Sequence, residues 1–209
     1  MTSGQAGLFD EPLTGPGLEV SIVRSAFSPE EAQRAFEILR AEVPWQQDEI
    51  MIFGKKTPLP RLTAWFGDEG FEYTYSGITM RPQAWTPMLN IVRSRVQHLA
   101  GTDFNTVLLN LYRDGGDGVA WHADDEDNLG PNPVIASVSF GASRRFQFRR
   151  RDDSAVKRQL ELHDGDVVIM RGETQTLWFH QVPKTATRVG ERINLTFRTI
   201  VPGQVTAKA

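Results

Sequence analysis

Apolar positions along the chain change period once. Up to Gly101 the clearest elements are helical: Ser28, Pro29 and Glu31 supply an N-cap, a first-turn proline and the far half of a capping box, and Ala32, Ala35, Phe36 and Leu39 follow at helical spacing. A second helix opens at Thr86 and Pro87 and takes Ile91, Val92, Val96 and Leu99 as its buried stripe. It stops at Gly101, where a left-handed residue is wanted. Beyond Gly101 the pattern alternates in short segments: TVLLNLY (106–112), GVAWHAD (118–124), VIASVSF (134–140), RFQFR (145–149), DVVIM (166–170) and RINLTFRTIV (192–201). DGGDG, LGPNP and HDGD supply the tight turns among them. With no helix between these strands, they should pair mostly antiparallel. The prediction is a mainly β fold, a sandwich or jelly roll, flanked by the N-terminal helices.

Composition narrows the setting more than the fold. A chain of 209 residues, 40% hydrophobic and 23% charged, suits one large soluble domain. Residues 1–17, rich in Gly, Pro, Thr and Ser, and residues 202–209 are expected to be loose tails. That leaves 18–201 as a single domain, helical to residue 100 and β from 101. No apolar run approaches 18 residues and no charged-then-apolar leader opens the chain, so neither a membrane span nor a secretory signal is expected. Cysteine is absent, which excludes disulfides and leaves His and carboxylates as the strong metal ligands. A cytoplasmic monomer is the expected setting. The net charge of −3 argues against a strong nonspecific polyanion binder, but it is unevenly spread: residues 1–140 carry 10 Lys/Arg against 19 Asp/Glu, residues 141–200 carry 12 against 7. The basic C-terminal third can therefore face phosphates.

Candidate chemistry begins in GVAWHAD. Strand alternation puts His122 and Asp124 on one face, two ligands aimed into one space. Of the other histidines, His180 in the apolar LWFHQVP is the best third ligand, although a hydrogen-bonded core histidine has the same context. Two histidines and a carboxylate form the facial triad of non-haem Fe(II) oxygenases. The last strand alternates strictly, with Ile193, Leu195 and Phe197 on one face and Arg192, Asn194, Thr196 and Arg198 on the other. Burying two arginines on a strand face is costly without an anion, so an acidic ligand is implied; a surface ion-pair ladder is the structural alternative. LNLYRDG repeats the design with Asn110 and Tyr112.

Together, H-x-D, a distant His, N-x-Y and R-x-N-x-T-x-R resemble the AlkB family of Fe(II)/2-oxoglutarate dioxygenases, particularly its duplex-DNA-repair branch. The resemblance runs from IFGKK (52–56) to TFRTIV (196–201), through PRLTAWFGD, YTYSG, FNTVLLNLYRDG, HADDE and IASVSFGA. It implies a double-stranded β-helix (jelly roll) with N-terminal helices, a nucleotide-recognition segment within 18–100, and a finger hairpin. It implies Fe(II) on His122, Asp124 and His180, and 2-oxoglutarate held by Arg192 and Tyr112 at its distal carboxylate. Asn110 and Arg198 would lie near the carboxylate that chelates the metal, with Asn194 and Thr196 lining the pocket. The implied activity is oxidative dealkylation of 1-methyladenine and 3-methylcytosine type lesions in DNA, consuming O₂ and 2-oxoglutarate and releasing succinate, CO₂ and formaldehyde. An RNA or protein demethylase on the same scaffold is the enzymatic alternative, and a non-catalytic jelly-roll binding module the other.

The substrate must be flipped out of its stack to reach such a site. By resemblance, Tyr73 and Tyr75 would hold the base, with Tyr75 and His122 sandwiching it, and Asp125 or Glu126 would contact its edge. DEIMIFGKKTPLPR reads as two extended arms around Gly54. Ile52 and Phe53 suit a wedge for the vacated stack, Lys55 and Lys56 suit phosphate, and Arg61 would reach the opposite strand. RRFQFRRR (144–151), with Lys157 and Arg158, reads as the phosphate track, favouring duplex DNA as partner. In the N-terminal tail, Gln5, Leu8 and Phe9 match the Q-x-x-L-F spacing of bacterial sliding-clamp-binding peptides, with some ten flexible residues expected before the folded domain.

Overall fold

The computed structural model describes residues 10–52, 54–70, 73–75, 78–80 and 82–201. Phe53, and Gln5, Leu8 and Phe9, lie outside the described residues, and Tyr73 and Tyr75 are described as backbone alone. The chain opens with two strands, β1 (Asp10–Gly15) and β2 (Leu18–Val23), and helix α1 (Pro29–Glu42). A hairpin of β3 (Glu49–Ile52) and β4 (Lys55–Pro58) leads to β5 (Leu62–Gly67), a short pair β6 (Tyr73–Tyr75) and β7 (Ile78–Met80), and helix α2 (Pro87–Ala100). The β half follows: β8 (Thr106–Tyr112), β9 (Val119–His122), β10 (Ile135–Gly141), β11 (Arg144–Arg150), β12 (Lys157–Leu162), β13 (Val167–Arg171), a helical turn α3 (Thr174–Leu177), β14 (Trp178–Val182) and β15 (Arg192–Arg198). Two antiparallel sheets result, a major one in the order β1-β2-β13-β10-β15-β8-β5 and a minor one in the order β12-β11-β14-β9. This is the jelly roll that the alternation predicts.

Both faces of the major sheet are covered, and for different reasons. Ile193, Leu195 and Phe197 of β15, Val107, Leu109 and Leu111 of β8, and Ala136, Val138 and Phe140 of β10 face α1 and α2 in one core. Alternate residues of the same strands face the minor sheet. There Leu18, Val20, Ile22, Val168 and Trp178 close a second core beside a polar pocket. Register is therefore tightly specified. A one-residue slip of β15 would move three fully buried apolar side chains into that pocket, at roughly 5–9 kcal/mol.

α1 forms as its signals predict: the Ser28 hydroxyl accepts from the Glu31 N–H at 3.2 Å, and the Glu31 carboxylate accepts from the Ser28 N–H at 2.9 Å. α2 starts at Thr86 and ends on left-handed Gly101, but its buried stripe is Leu89, Val92, Val96 and Ala100. Ile91, expected in that stripe, is 58% exposed. The i, i+3, i+4 spacing accommodates both faces, and the sheet selects the one carrying Leu89. The span 1–17, expected as a loose tail, includes a strand, because Asp10–Gly15 pairs with β2 at the sheet edge. The hairpin expected around Gly54 is present: Ile52 pairs with Lys55, and Gly54 turns at φ +75°, which favours glycine.

Candidate active site

Rungs across the major sheet build one wall of the pocket. Ser139, Asn194, Asn110 and Thr63 stand side by side across β10, β15, β8 and β5, with Arg192 opposite Tyr112 one rung away. The minor sheet supplies the facing wall, where His180 on β14 pairs directly with His122 on β9. The two imidazoles meet edge-on at 4.3 Å between ring centres. Between the walls lies a cavity of about 210 Å³.

β9 ends at His122, so Asp124 has no ladder to hold it. Gln175, 1% exposed on α3, accepts from the Asp124 N–H through Oε1 at 3.0 Å. Arg198 donates from Nη2 to Asp124 Oδ1. The donor atoms of His122, Asp124 and His180 then all lie within 4.8 Å of one another. Each group is prepared to bind a cation. Burial drives the His180 pKa from 6.5 to about 3, with His122 adding to the drop, so its lone pair is available at neutral pH. Burial alone would raise the pKa of Asp124, but Arg198, His180 and His122 outweigh it and hold the carboxyl below its ordinary value. His122 Nδ1 lies 2.8 Å from the Ala120 carbonyl, which leaves Nε2 as the ligand atom. Among the described residues Asp124 Oδ2 is buried with no hydrogen-bond partner and lies 3.9 Å from His180 Nε2, as expected of a carboxylate oxygen that shares a metal with that nitrogen.

Across the cavity, Arg192 is 1% exposed. Its Nη2 donates to Ser139 Oγ at 2.8 Å, while Nε and Nη1 have no partner. Burial lowers its pKa, partly offset by Tyr112 and reinforced by Arg144. Asn194 donates to Ser137 Oγ at 2.7 Å and accepts from the Thr196 hydroxyl at 3.1 Å, so this rung is already satisfied. A buried guanidinium with two free donors, metal-ligand atoms across a small cavity and an amide on the same wall suit a small dicarboxylate that also touches the metal.

Residues 19–198 match the 2OG-Fe(II) oxygenase superfamily. The chain is 41% identical over 206 residues to alpha-ketoglutarate-dependent dioxygenase alkB homolog 3 of Rattus norvegicus, covering 94% of this chain and 69% of that protein. It is 40% identical over 186 residues to DNA oxidative demethylase ALKBH2 of Mus musculus, covering 84% and 78%. The chain is an AlkB-family Fe(II)/2-oxoglutarate dioxygenase. The solved structure of OsALKBH1 shares its fold, with a TM-score of 0.63 at 13% identity over 91% of this chain and 99% of that one.

In this AlkB-family enzyme, His122, Asp124, His180, Asn110, Tyr112, Arg192, Asn194, Thr196, Arg198, Glu126 and Arg61 all line the cavity. Asp125 is outside it and pairs with Arg151 at 2.8 Å. Part of the basic run 144–151 is engaged within the protein, while Arg145 stays exposed. Alternation turns Arg144 inward, where it binds the carbonyls of Asp114, Asp117 and Pro183, and Arg150 pairs with Asp152 at 2.7 Å. Sequence reasoning passed over Ser137, Ser139 and Gln175. The two serines alternate with Ala136 and Val138 on β10, a signal of the same kind as in β15. Gln175 has no such signal, because its role depends on packing against Asp124.

Proposed function

We propose that this enzyme repairs DNA by oxidative dealkylation of 1-methyladenine and 3-methylcytosine type lesions, and that duplex is its preferred substrate. Bound Fe(II), with 2-oxoglutarate and O₂, supplies the oxidising power that converts the N-alkyl carbon to a hydroxyalkyl group, which leaves as an aldehyde. His122, Asp124 and His180 hold the metal, and Arg198 keeps Asp124 charged and oriented. Arg192, with Tyr112 beside it, binds the distal carboxylate of 2-oxoglutarate through its charge and an unpartnered N–H, while Asn110 and Arg198 face the other end. Asn194 and Thr196, bonded to each other, complete the wall.

On the substrate side, Glu126 lines both this cavity and a larger neighbouring one, and so suits contact with a flipped base held by Tyr73 and Tyr75. Asp125 reaches the base once it parts from Arg151. The observation that carries the duplex preference is the β3–β4 hairpin, where Ile50 and Met51 are 45% and 63% exposed on the strand paired with Lys55 and Lys56. Exposed apolar side chains beside lysines suit a wedge in a base stack with phosphates nearby, a role in which Phe53 joins them. The relative named DNA oxidative demethylase supports the DNA reading. The test is formaldehyde release from matched methylated oligonucleotides. Duplex DNA should exceed single-stranded DNA, and Phe53→Ala should reduce the duplex rate more; preference for RNA or for a methylated peptide would overturn the proposal.

A sliding-clamp contact through Gln5, Leu8 and Phe9 belongs to the same proposal. β1 begins at Asp10, within the span expected as a flexible spacer. A peptide of residues 1–12 should bind the clamp weakly, and Leu8→Ala with Phe9→Ala should remove that binding; no binding at high micromolar clamp would end it.

A further inference from the structure

Arg61 follows the finger hairpin and was expected to reach towards DNA, yet its side chain lies in the metal cavity. Nε donates to Asn110 Oδ1 at 2.7 Å, and Nη1 reaches the Gly118 carbonyl at 3.5 Å. The backbone is fixed in the same place. The Gly118 N–H donates to the Pro60 carbonyl at 2.9 Å, and the Gln47 amide donates to the Arg61 carbonyl at 3.1 Å. Two residues later Thr63 pairs with Asn110 in the sheet. Gly118 also precedes β9, so one short segment touches the finger, the approach to the metal strand and the co-substrate wall.

Arginine has donors and no acceptor, so the Asn110 atom that faces it must be the amide oxygen. The Asn110 amide nitrogen is then directed away from Arg61, and no group among the described residues accepts from it. Without Arg61, that amide is free to turn over and offer its oxygen to the cavity, where it would repel a carboxylate.

We propose that Arg61 is a positioning residue for 2-oxoglutarate: by fixing Oδ1 of Asn110, it presents that residue's N–H donors to a co-substrate carboxylate. The co-substrate site thereby depends on the segment that leaves the finger hairpin. This inference rests on the reading of the cavity as the 2-oxoglutarate site.

The test is a double-mutant cycle on the Mn(II)-loaded protein, with 2-oxoglutarate affinity read by calorimetry and duplex affinity by fluorescence anisotropy. Arg61→Met should weaken 2-oxoglutarate binding by roughly ten-fold or more, the effect of losing a hydrogen bond to a charged group. It should raise KM with kcat little changed and leave duplex affinity within about two-fold, well short of a lost base or phosphate contact. In an Asn110→Ala background the same change should add less than about two-fold, since the two side chains act as one unit. Arg61→Lys, which keeps the charge and a donor, should recover part of the loss. Arg61 is half-buried, and Arg61→Leu carries the same test should Arg61→Met melt early. Full additivity with Asn110→Ala, or unchanged 2-oxoglutarate affinity with weakened duplex binding, overturns the inference and makes Arg61 a nucleic-acid contact. Arg192→Met is the reference. If it too leaves 2-oxoglutarate affinity unchanged, the reading of the cavity fails rather than the role of Arg61 alone.

Discussion

Replacing Arg192 with methionine should stabilise the metal-free protein, or cost it little, while crippling its hold on 2-oxoglutarate. Arg192 is among the largest fully buried side chains; among the described residues its Nη2 donates to Ser139, and its Nε and Nη1 have no partner. Each unsatisfied buried donor costs about 1–3 kcal/mol, against about 1.5–3 kcal/mol for the one charged hydrogen bond that is lost. Methionine fills a similar volume with an adaptable apolar chain. The net change in the metal-free protein should centre on about 2 kcal/mol of stabilisation and fall no lower than about 1 kcal/mol of destabilisation, which at this size raises Tm by roughly 4–8 °C at the centre. Loss of the buried cationic N–H donors to a carboxylate should weaken 2-oxoglutarate by about 100-fold, at 1.4 kcal/mol per factor of ten. Thermal melts of the metal-free protein, and of the Mn(II)-loaded protein across a 2-oxoglutarate titration, measure both quantities. A metal-free variant destabilised by more than about 1 kcal/mol would mean that the guanidinium is satisfied inside the protein, and the argument for an absent anion would collapse.

Gln175→Met, which keeps volume but removes the acceptor for the Asp124 N–H, should raise the Kd for Mn(II) about 10–100-fold and, by leaving that buried N–H unpaired, cost the metal-free protein about 1–3 kcal/mol; an unchanged Kd would make Gln175 a packing residue only. The metal-free protein should lose stability in acid. His180 stays neutral in the folded state down to about pH 3, whereas the unfolded chain takes up that proton near 6.5. The unfolded state thus binds more protons between those values, and stability falls with pH by up to about 1.4 kcal/mol per unit. His180→Asn should flatten that part of the denaturation profile, and an unaltered slope would contradict its burial as a neutral imidazole. On α2, Ile91→Gln should change stability by less than about 0.5 kcal/mol while Val92→Ala costs about 1–3 kcal/mol; equal costs would restore the other face to the core. Met51→Ala should leave the melt unchanged and slow repair of duplex more than of single strands, whereas equal slowing would remove the hairpin from stack opening.

Much of the site was legible because its residues are chemically unusual where they stand. H-x-D at a strand end, His180 in an apolar strand, and arginines on one face of RINLTFR each break the pattern of an ordinary core, and the structure brings them to one cavity. The helix caps were legible for a local reason, since Ser28 and Glu31 satisfy each other within one turn. What escaped depends on partners distant in sequence. β1 carries Gly, Pro and Thr and exists because β2 offers an edge. Gln175 in a four-residue helical turn has meaning only beside Asp124, 51 residues away. Arg144 was misread as part of a charge run although its alternation with buried Phe146 and Phe148 already turned it inward. Arg61 was assigned by its neighbourhood to the finger, but the fold turns its side chain to Asn110.

His122, Asp124 and His180 hold the iron with which this enzyme removes alkyl groups from DNA bases. The direct measurement is formaldehyde and succinate release from a duplex bearing one 1-methyladenine, by Fe(II)-loaded wild-type protein and by Asp124→Ala, with Mn(II) affinity and the thermal melt recorded for both. Wild-type protein should release formaldehyde in step with restored adenine, and Asp124→Ala should release none, bind Mn(II) far more weakly and keep its fold. Repair at the wild-type rate by a folded Asp124→Ala protein, or 2-oxoglutarate turnover by wild type that leaves every methyl group on the DNA, would contradict the account.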